Sequence, residues 1–153
     1  MRIHHIYVSA GHNFFGRHGL PPGAHPIVEL EKAQCVAGRG LVGDRFFDFK
    51  PDYSGQITFF ALENYERLCR ELGVNDKAPS VFRRNVITSG IDLNSLIGQE
   101  FEIQGVRFRG RKECSPCYWM DFAFAPGAEK LLEGQGGLRA AILSDGELRV
   151  DVP

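Results

Sequence analysis

The segment Glu113-Cys114-Ser115-Pro116-Cys117 sets two thiols three residues apart with a proline between them. That spacing supports three chemistries. The pair is half of a structural zinc site, which usually takes four Cys or His ligands. His12, His18 and His25 would have to complete it, yet they lack the spacing of a His pair, and no second Cys-x-x-Cys is present. The pair also resembles a thioredoxin-like dithiol. That site opens a long helix, however, whereas Tyr118 to Pro126 is aromatic-rich with no helical period. The third chemistry is a single reactive thiol, Cys117, with Cys114 as a neighbour that tunes or protects it. Cations near a thiol populate the nucleophilic thiolate. Arg107, Arg109, Arg111 and Lys112, just upstream, would supply that field unless they only line the solvated face of a strand. Cys35 and Cys69 lie in apolar-periodic stretches and read as core residues.

Val81-Phe82-Arg83-Arg84-Asn85-Val86 reads as part of a strand, in which neighbouring arginines point to opposite faces. One of the two would then face inward and require an anion or a carboxylate, because an unpaired buried charge is costly. A planar guanidinium suits phosphate and carboxylate alike. A salt bridge to Asp44 or Asp92 that only holds the fold is the structural alternative. Gly40 to Phe47 adds glycines, Asp44 and Arg45 in one loop, and Gly134 to Arg139 offers backbone N–H groups to an oxyanion. Each of these is weak alone.

The elements that must position these groups are mostly short strands. Ile3 to Val8 and Ile27 to Val36 read as strands around a long Gly-, Pro- and His-rich loop from Gly11 to Pro26. Gln56 to Phe60 is β-favouring and runs into a helix from Leu62 to Leu72. There Leu62, Tyr65, Leu68, Cys69 and Leu72 share a face, Glu63 with Arg67 and Glu66 with Arg70 are four apart, and Gly73 is a stop. Val81 to Thr88 reads as a strand, Ile91 to Gly98 as a connector, and Phe101 to Arg111 as a hairpin turning at Gly105. Gly127 to Glu133 is a candidate short helix. Leu138 to Leu143 and Glu147 to Val150 flank Ser144-Asp145-Gly146, a hairpin signal. The expected fold is mainly β: a closed or nearly closed, mixed or antiparallel β-barrel with one or two helices, in a single domain over residues 1–153.

Composition agrees with a globular chain. Of 153 residues, 43% are apolar and 24% charged, enough to build a core and too few charges for disorder. With 18 basic and 19 acidic side chains the net charge is −1, which removes the bulk attraction behind sequence-independent nucleic-acid binding. No stretch nears the ~20 apolar residues that cross a bilayer, and the N-terminus lacks the apolar run of a secretory signal. A cytoplasmic protein without nucleic-acid or membrane partners is expected.

In order along the chain, several segments resemble the MOSC domain, the module at the C-terminus of molybdenum-cofactor sulfurases and in related stand-alone proteins. They are Gly40-x-x-Gly43-Asp44-Arg45, Gln56-Ile57-Thr58, Arg83-Arg84-Asn85-Val86-Ile87-Thr88, Gly90-x-Asp92-Leu93-Asn94-x-Leu96-x-Gly98, Cys114-x-Pro116-Cys117 and Gly136-Gly137-Leu138. The resemblance implies a β-barrel with few helices that binds a molybdenum pterin cofactor or carries sulfur as a cysteine persulfide, and it brings an association with pyridoxal phosphate binding. It implies that Cys117 is the reactive residue, as persulfide carrier or molybdenum ligand, and soft thiolate ligation of molybdenum is chemically reasonable. It implies that Arg83, Arg84 and Asn85, with Asp44, Arg45 and Cys114 nearby, help to hold the cofactor. A cysteine desulfurase as sulfur donor and a small-molecule or cofactor ligand are the implied partners, and a sulfurtransferase-like or molybdenum-cofactor-dependent activity the implied chemistry. Two positions depart from the pattern. Phe46 stands where many relatives have a histidine, and the usual C-terminal Gly-Asp is reduced to Val150-Asp151. A stand-alone domain is expected, without the N-terminal partner β-barrel that longer members place against the cofactor, and such a domain would favour a carrier or transfer role. The alternative from another class is a non-catalytic module that binds an anionic heterocycle or a partner protein.

Overall fold

Short β-favouring runs become ten strands in the computed structural model, which describes residues 1–153. They are β1 (Arg2–Val8), β2 (Val28–Leu30), β3 (Lys32–Val36), β4 (Gly40–Leu41), β5 (Ile57–Ala61), β6 (Val86–Ser89), β7 (Glu100–Ile103), β8 (Val106–Glu113), β9 (Leu138–Ile142) and β10 (Gly146–Arg149). Three helices accompany them: α1 (Leu62–Leu72), α2 (Trp119–Ala123) and α3 (Ala128–Leu131). None is long and apolar enough to cross a membrane.

Seven strands form one mixed sheet in the order β2-β1-β6-β5-β9-β8-β7, and three form a second, β10-β3-β4. The expected closed or nearly closed barrel is met in part: the chain is mainly β with few helices, but the large sheet is a curled half-barrel, because the edge strands β2 and β7 do not pair with each other. The small sheet covers the inner face instead. One apolar cluster joins Ile3, Ile6, Ile57, Phe59, Val86, Phe108 and Leu138 of the large sheet to Ala33, Cys35, Leu41 and Leu148 of the small one. A second cluster lies on the outer face, where Tyr7, Phe60 and Ile87 meet Leu68 of α1, Met120 of α2 and Ala128 of α3. Strand β5 is thus buried on both sides, so Ile57 to Phe60 is buried without alternation, the polar Thr58 being satisfied by Asn85.

Strands β5 and β6 are parallel, joined by α1, while every other strand pair is antiparallel. Helix α1 has the expected bounds and ends at Gly73, whose φ of +64° suits the left-handed cap. The expected Glu63–Arg67 contact is replaced by tertiary ones. Glu63 accepts from the Gly90 N–H and Arg67 donates to the Leu131 carbonyl.

Two expected continuities are broken because the chain changes sheets. The strand expected over Ile27 to Val36 splits at Glu31, so that β2 pairs with β1 while β3 pairs with β10 and β4. At Ser144-Asp145-Gly146 the expected hairpin does not form. β9 stays in the large sheet and β10 crosses to the small one, with the Asp145 carboxylate taking the Ala37 N–H at 2.8 Å. The Gln104-Gly105 turn between β7 and β8 is a tight hairpin, as expected. Asp151 latches the C-terminus, accepting from the Ile3 N–H at 2.6 Å and from the Gln104 amide at 3.1 Å.

Candidate functional site

The site grows from three connections that Arg84 ties together, through Gly136 O and Cys114 O. After β8 the chain enters the cysteine loop, before β6 it passes through a 3₁₀ turn at Pro79–Phe82, and before β9 it passes Gly134 to Gly137. The expected strand over Val81 to Thr88 thus begins only at Val86, because Pro79 opens a 3₁₀ turn and Arg83 ends it in a left-handed conformation, φ +56°. This geometry overturns the opposite-faces expectation for the arginine pair. Arg83 and Arg84 both line the same cavity, of about 200 Å³.

Arg45 and Arg139 line it too, together with Cys114, Ser115 and Cys117. The other walls include Phe14, Phe15, Phe46, Tyr53, Trp119 and Met120. Cys117 is exposed to solvent, and Cys114 is buried. Both thiols are free. Asp44 and Asn85 are not on the lining. Asp44 sits behind it, holding the Ser9 and Phe46 N–H groups and the Arg45 guanidinium, the last at 3.1 Å. Asn85 lies deeper and ties β5 to β1.

Four guanidiniums thus face one carboxylate, since only Arg45 among them forms an ion pair. Neither Asp44 nor Asp92 bridges Arg83 or Arg84. Backbone carbonyls take that place. Arg83 donates to Gly11 O at 2.6 Å, to His25 O at 3.4 Å and to the Ser9 hydroxyl at 2.9 Å. Arg84 donates to Gly136 O at 2.9 Å, Phe82 O at 3.0 Å and Cys114 O at 3.1 Å. Carbonyl dipoles satisfy N–H groups without cancelling the charge, so the cavity stays electropositive. Burial, reinforced by Arg45, brings Arg83 down to about 10. Arg83 is therefore still a cation at neutral pH. Burial likewise lowers Arg45, against the pull of Asp44.

The cations beside the thiols differ from those expected. Arg109 pairs with Glu100 and Arg111 with Asp52, while Arg107 and Lys112 are exposed. The field comes from Arg45, Arg83, Arg84 and Arg139, which are remote from Cys117 in sequence. Only Arg139 escaped notice as a side chain, although the glycines before it marked its loop.

The long loop from Gly11 to Pro26 forms a wall of the site. Phe14 stacks on Trp119 with centroids 4.9 Å apart, and the Gly19 N–H reaches the Tyr118 hydroxyl at 3.4 Å. His12 packs edge-on against Phe46 at 5.0 Å, and burial with the nearby Arg45 and Arg83 lowers its pKa. The stretch after Cys117, expected to be irregular, carries α2. Five residues are too few to show a helical period. No three His, Cys, Asp or Glu side chains meet as a metal-binding group, so the zinc reading finds no ligand set. No lysine lines the cavity, so its residues do not fit pyridoxal phosphate held as a Schiff base.

Since Arg83 carries the loop on Ser9, Gly11 and His25, Arg83→Ala should free it. Hydrogen bonds from charged groups contribute ~1.5–3 kcal/mol each, so amide exchange across residues 11–26 should quicken at least about tenfold. Unchanged exchange in that loop would contradict the role given to Arg83.

The family model described as MOSC domain matches residues 39–152. No functionally curated protein matches the sequence. Among solved structures, the YuaD protein from Bacillus subtilis superposes with a TM-score of 0.73 at 18% identity, over 97% of this chain and 91% of that one. YiiM from Escherichia coli gives 0.66 at 18% identity, over 100% and 68%. YiiM from Geobacillus stearothermophilus gives 0.69 at 13% identity, over 99% and 72%. At these identities the likeness concerns the fold alone.

Proposed function

Because this chain belongs to the MOSC domain family, which is associated with molybdenum-cofactor binding and sulfur transfer, we propose that Cys117 carries sulfur as a persulfide at the mouth of the arginine-lined cavity. The observation that carries this reading is an exposed free thiol on the rim of a cavity where four guanidiniums face one carboxylate. In the loading step the Cys117 sulfur attacks the outer sulfur of a donor persulfide, of the kind a cysteine desulfurase forms, and the donor cysteine leaves as its thiolate. In delivery an acceptor nucleophile attacks the outer sulfur and the Cys117 thiolate leaves. Each step passes through anionic sulfur, which the guanidiniums stabilise without rearranging.

The family's other association, a molybdenum pterin cofactor, fits this donor set in part. Cys117 would be the soft metal ligand, and Arg45, Arg83, Arg84 and Arg139 would face the phosphate. When bound, such a cofactor supplies redox chemistry at its metal. Size separates the two readings. A cavity of about 200 Å³ is smaller than the ~300–1,000 Å³ of sites that enclose drug-sized ligands, which favours the small sulfur cargo.

Loading is tested by incubating the chain with a cysteine desulfurase and cysteine, then measuring intact mass without reductant. The wild-type chain should gain one sulfur atom, and Cys117→Ala should gain none. Equal gain, or no gain in either with no internal disulfide formed, sinks the carrier reading. The aromatic walls and excess positive charge favour a second reading, a non-catalytic site for an anionic heterocycle. In that case Cys117→Ala keeps ligand binding and Arg139→Gln loses it. Analysis of the purified chain for Mo, W and Zn separates the cofactor and zinc readings from both.

A further inference from the structure

We propose that Cys114 is a resolving thiol, which ends the life of a persulfide on Cys117 by expelling its outer sulfur as hydrosulfide. The inference rests on the carrier reading above and adds a sulfide-releasing activity to the same site.

The argument begins with the burial of Cys114. It is 6% exposed, yet it belongs to neither apolar cluster, whereas Cys35 sits inside one and Cys69 packs against the other. Burial pushes the Cys35 thiol up to about 12, as expected for an inert core residue. Cys114 faces the cavity instead, on the same lining as Cys117. Packing alone does not explain a buried thiol in that place.

Its position is also fixed. The Cys114 N–H donates to Gly137 O at 2.7 Å, and its carbonyl accepts from Arg84 at 3.1 Å. Gly136 lies so close beneath that a Cβ there would stand 2.2 Å from Cys114 O and 2.8 Å from Pro116. The loop thus holds one thiol inside the cavity and one at its rim, separated only by Ser115 and Pro116. Two thiols so joined meet at an effective concentration far above that of any thiol in solution.

The chemistry balances without an added oxidant. The Cys114 thiolate attacks the inner sulfur of the Cys117 persulfide. A bond forms between the two cysteine sulfurs as the bond to the outer sulfur breaks, and that sulfur departs with the electron pair as hydrosulfide. The proton lost from Cys114 goes to solvent. The two cysteines are oxidised to a disulfide and the carried sulfur is reduced to sulfide, so an external thiol must reduce the chain before it loads again.

The test follows the persulfide after the desulfurase and cysteine are removed. In the wild-type chain the added sulfur should disappear, sulfide should appear in equal amount, and the tryptic peptide Glu113–Lys130 should end two hydrogens lighter. In Cys114→Ser the persulfide should last at least about ten times longer. Equal lifetimes overturn the proposal. Oxidised glutathione gives a reading that needs neither the variant nor the carrier reaction. The wild-type chain should pass through a glutathione adduct to the internal disulfide, and an adduct that persists overturns the proposal. A chain that refuses sulfur but closes the disulfide with glutathione removes the carrier reading and leaves the thiol pair standing.

Discussion

Gly136→Ala should lower stability by ~2–3 kcal/mol and take sulfur uptake at Cys117 down with it, because the added methyl has nowhere to go. An ideal Cβ at this position stands 2.2 Å from Cys114 O and 2.8 Å from both the nitrogen and Cδ of Pro116, so the obstruction is backbone and a ring rather than a flexible tip. Relief requires either the cysteine loop or the Gly134 to Gly137 strap to retreat. Neither is free to do so. The strap accepts from Arg84 at Gly136 O and donates from the Gly136 N–H to Glu113, while Gly137 O holds the Cys114 N–H. A displacement that relieves the methyl therefore breaks contacts that set both thiols and one cavity guanidinium. Urea denaturation gives the stability change, and intact mass after desulfurase treatment gives the loading. A variant as stable and as readily loaded as wild type would show that the close approach does not govern the site.

The same strap shows what the sequence could and could not disclose. Gly136-Gly137 was visible as part of an ordered set of motifs, and so were Cys117, Cys114 and the Arg83-Arg84-Asn85 run. Helix α1 was legible because an amphipathic period of 3.6 and a terminal glycine are local signals. The β7–β8 hairpin was legible for a similar reason, since Gly105 lies between two alternating segments. Properties set by distant partners were not. Glu31 and Asp145 mark places where the chain leaves one sheet for the other, and turn chemistry alone does not tell such a crossing from a hairpin. That is why a barrel was expected and a curled open sheet with a second sheet across it was found.

At the site, the cysteines were identified but the source of positive charge was not. Sequence neighbours of Cys114 on β8 point their charges at Glu100 and Asp52, and the guanidiniums that matter arrive from the β4–β5 connection, the segment before β6 and strand β9. Arg83 and Arg84 converge because a 3₁₀ turn precedes the strand, and the β-favouring residues Val81 and Phe82 conceal that turn. Phe46 packs against His12 from the Gly11 to Pro26 loop. That loop lies before residue 39, where the family match begins, and still supplies Asn13, Phe14 and Phe15 to the cavity.

Asn85→Ala should be the most destabilising of these changes, at ~3–5 kcal/mol, although Asn85 touches no cavity wall. Its side chain is buried at 3% exposure and joins three strand segments. The amide oxygen accepts from the Thr58 N–H and the Thr58 hydroxyl, both at 3.0 Å, and the amide nitrogen donates to Tyr7 O at 3.1 Å. Truncation orphans a backbone donor on β5 and a carbonyl on β1, and each unsatisfied buried group costs ~1–3 kcal/mol. The Thr58 hydroxyl can still accept from the Asn85 N–H, so part of the network survives. Asn85→Asp should fare little better, because an ionised carboxylate keeps the acceptor but loses the donor to Tyr7 and adds a buried charge. With folding free energies of ~5–15 kcal/mol in all, either variant should show a much lower urea midpoint. If Asn85 instead acts mainly by touching a ligand, Asn85→Ala will unfold like wild type and fail only in binding, and that outcome would move this residue from the scaffold into the site.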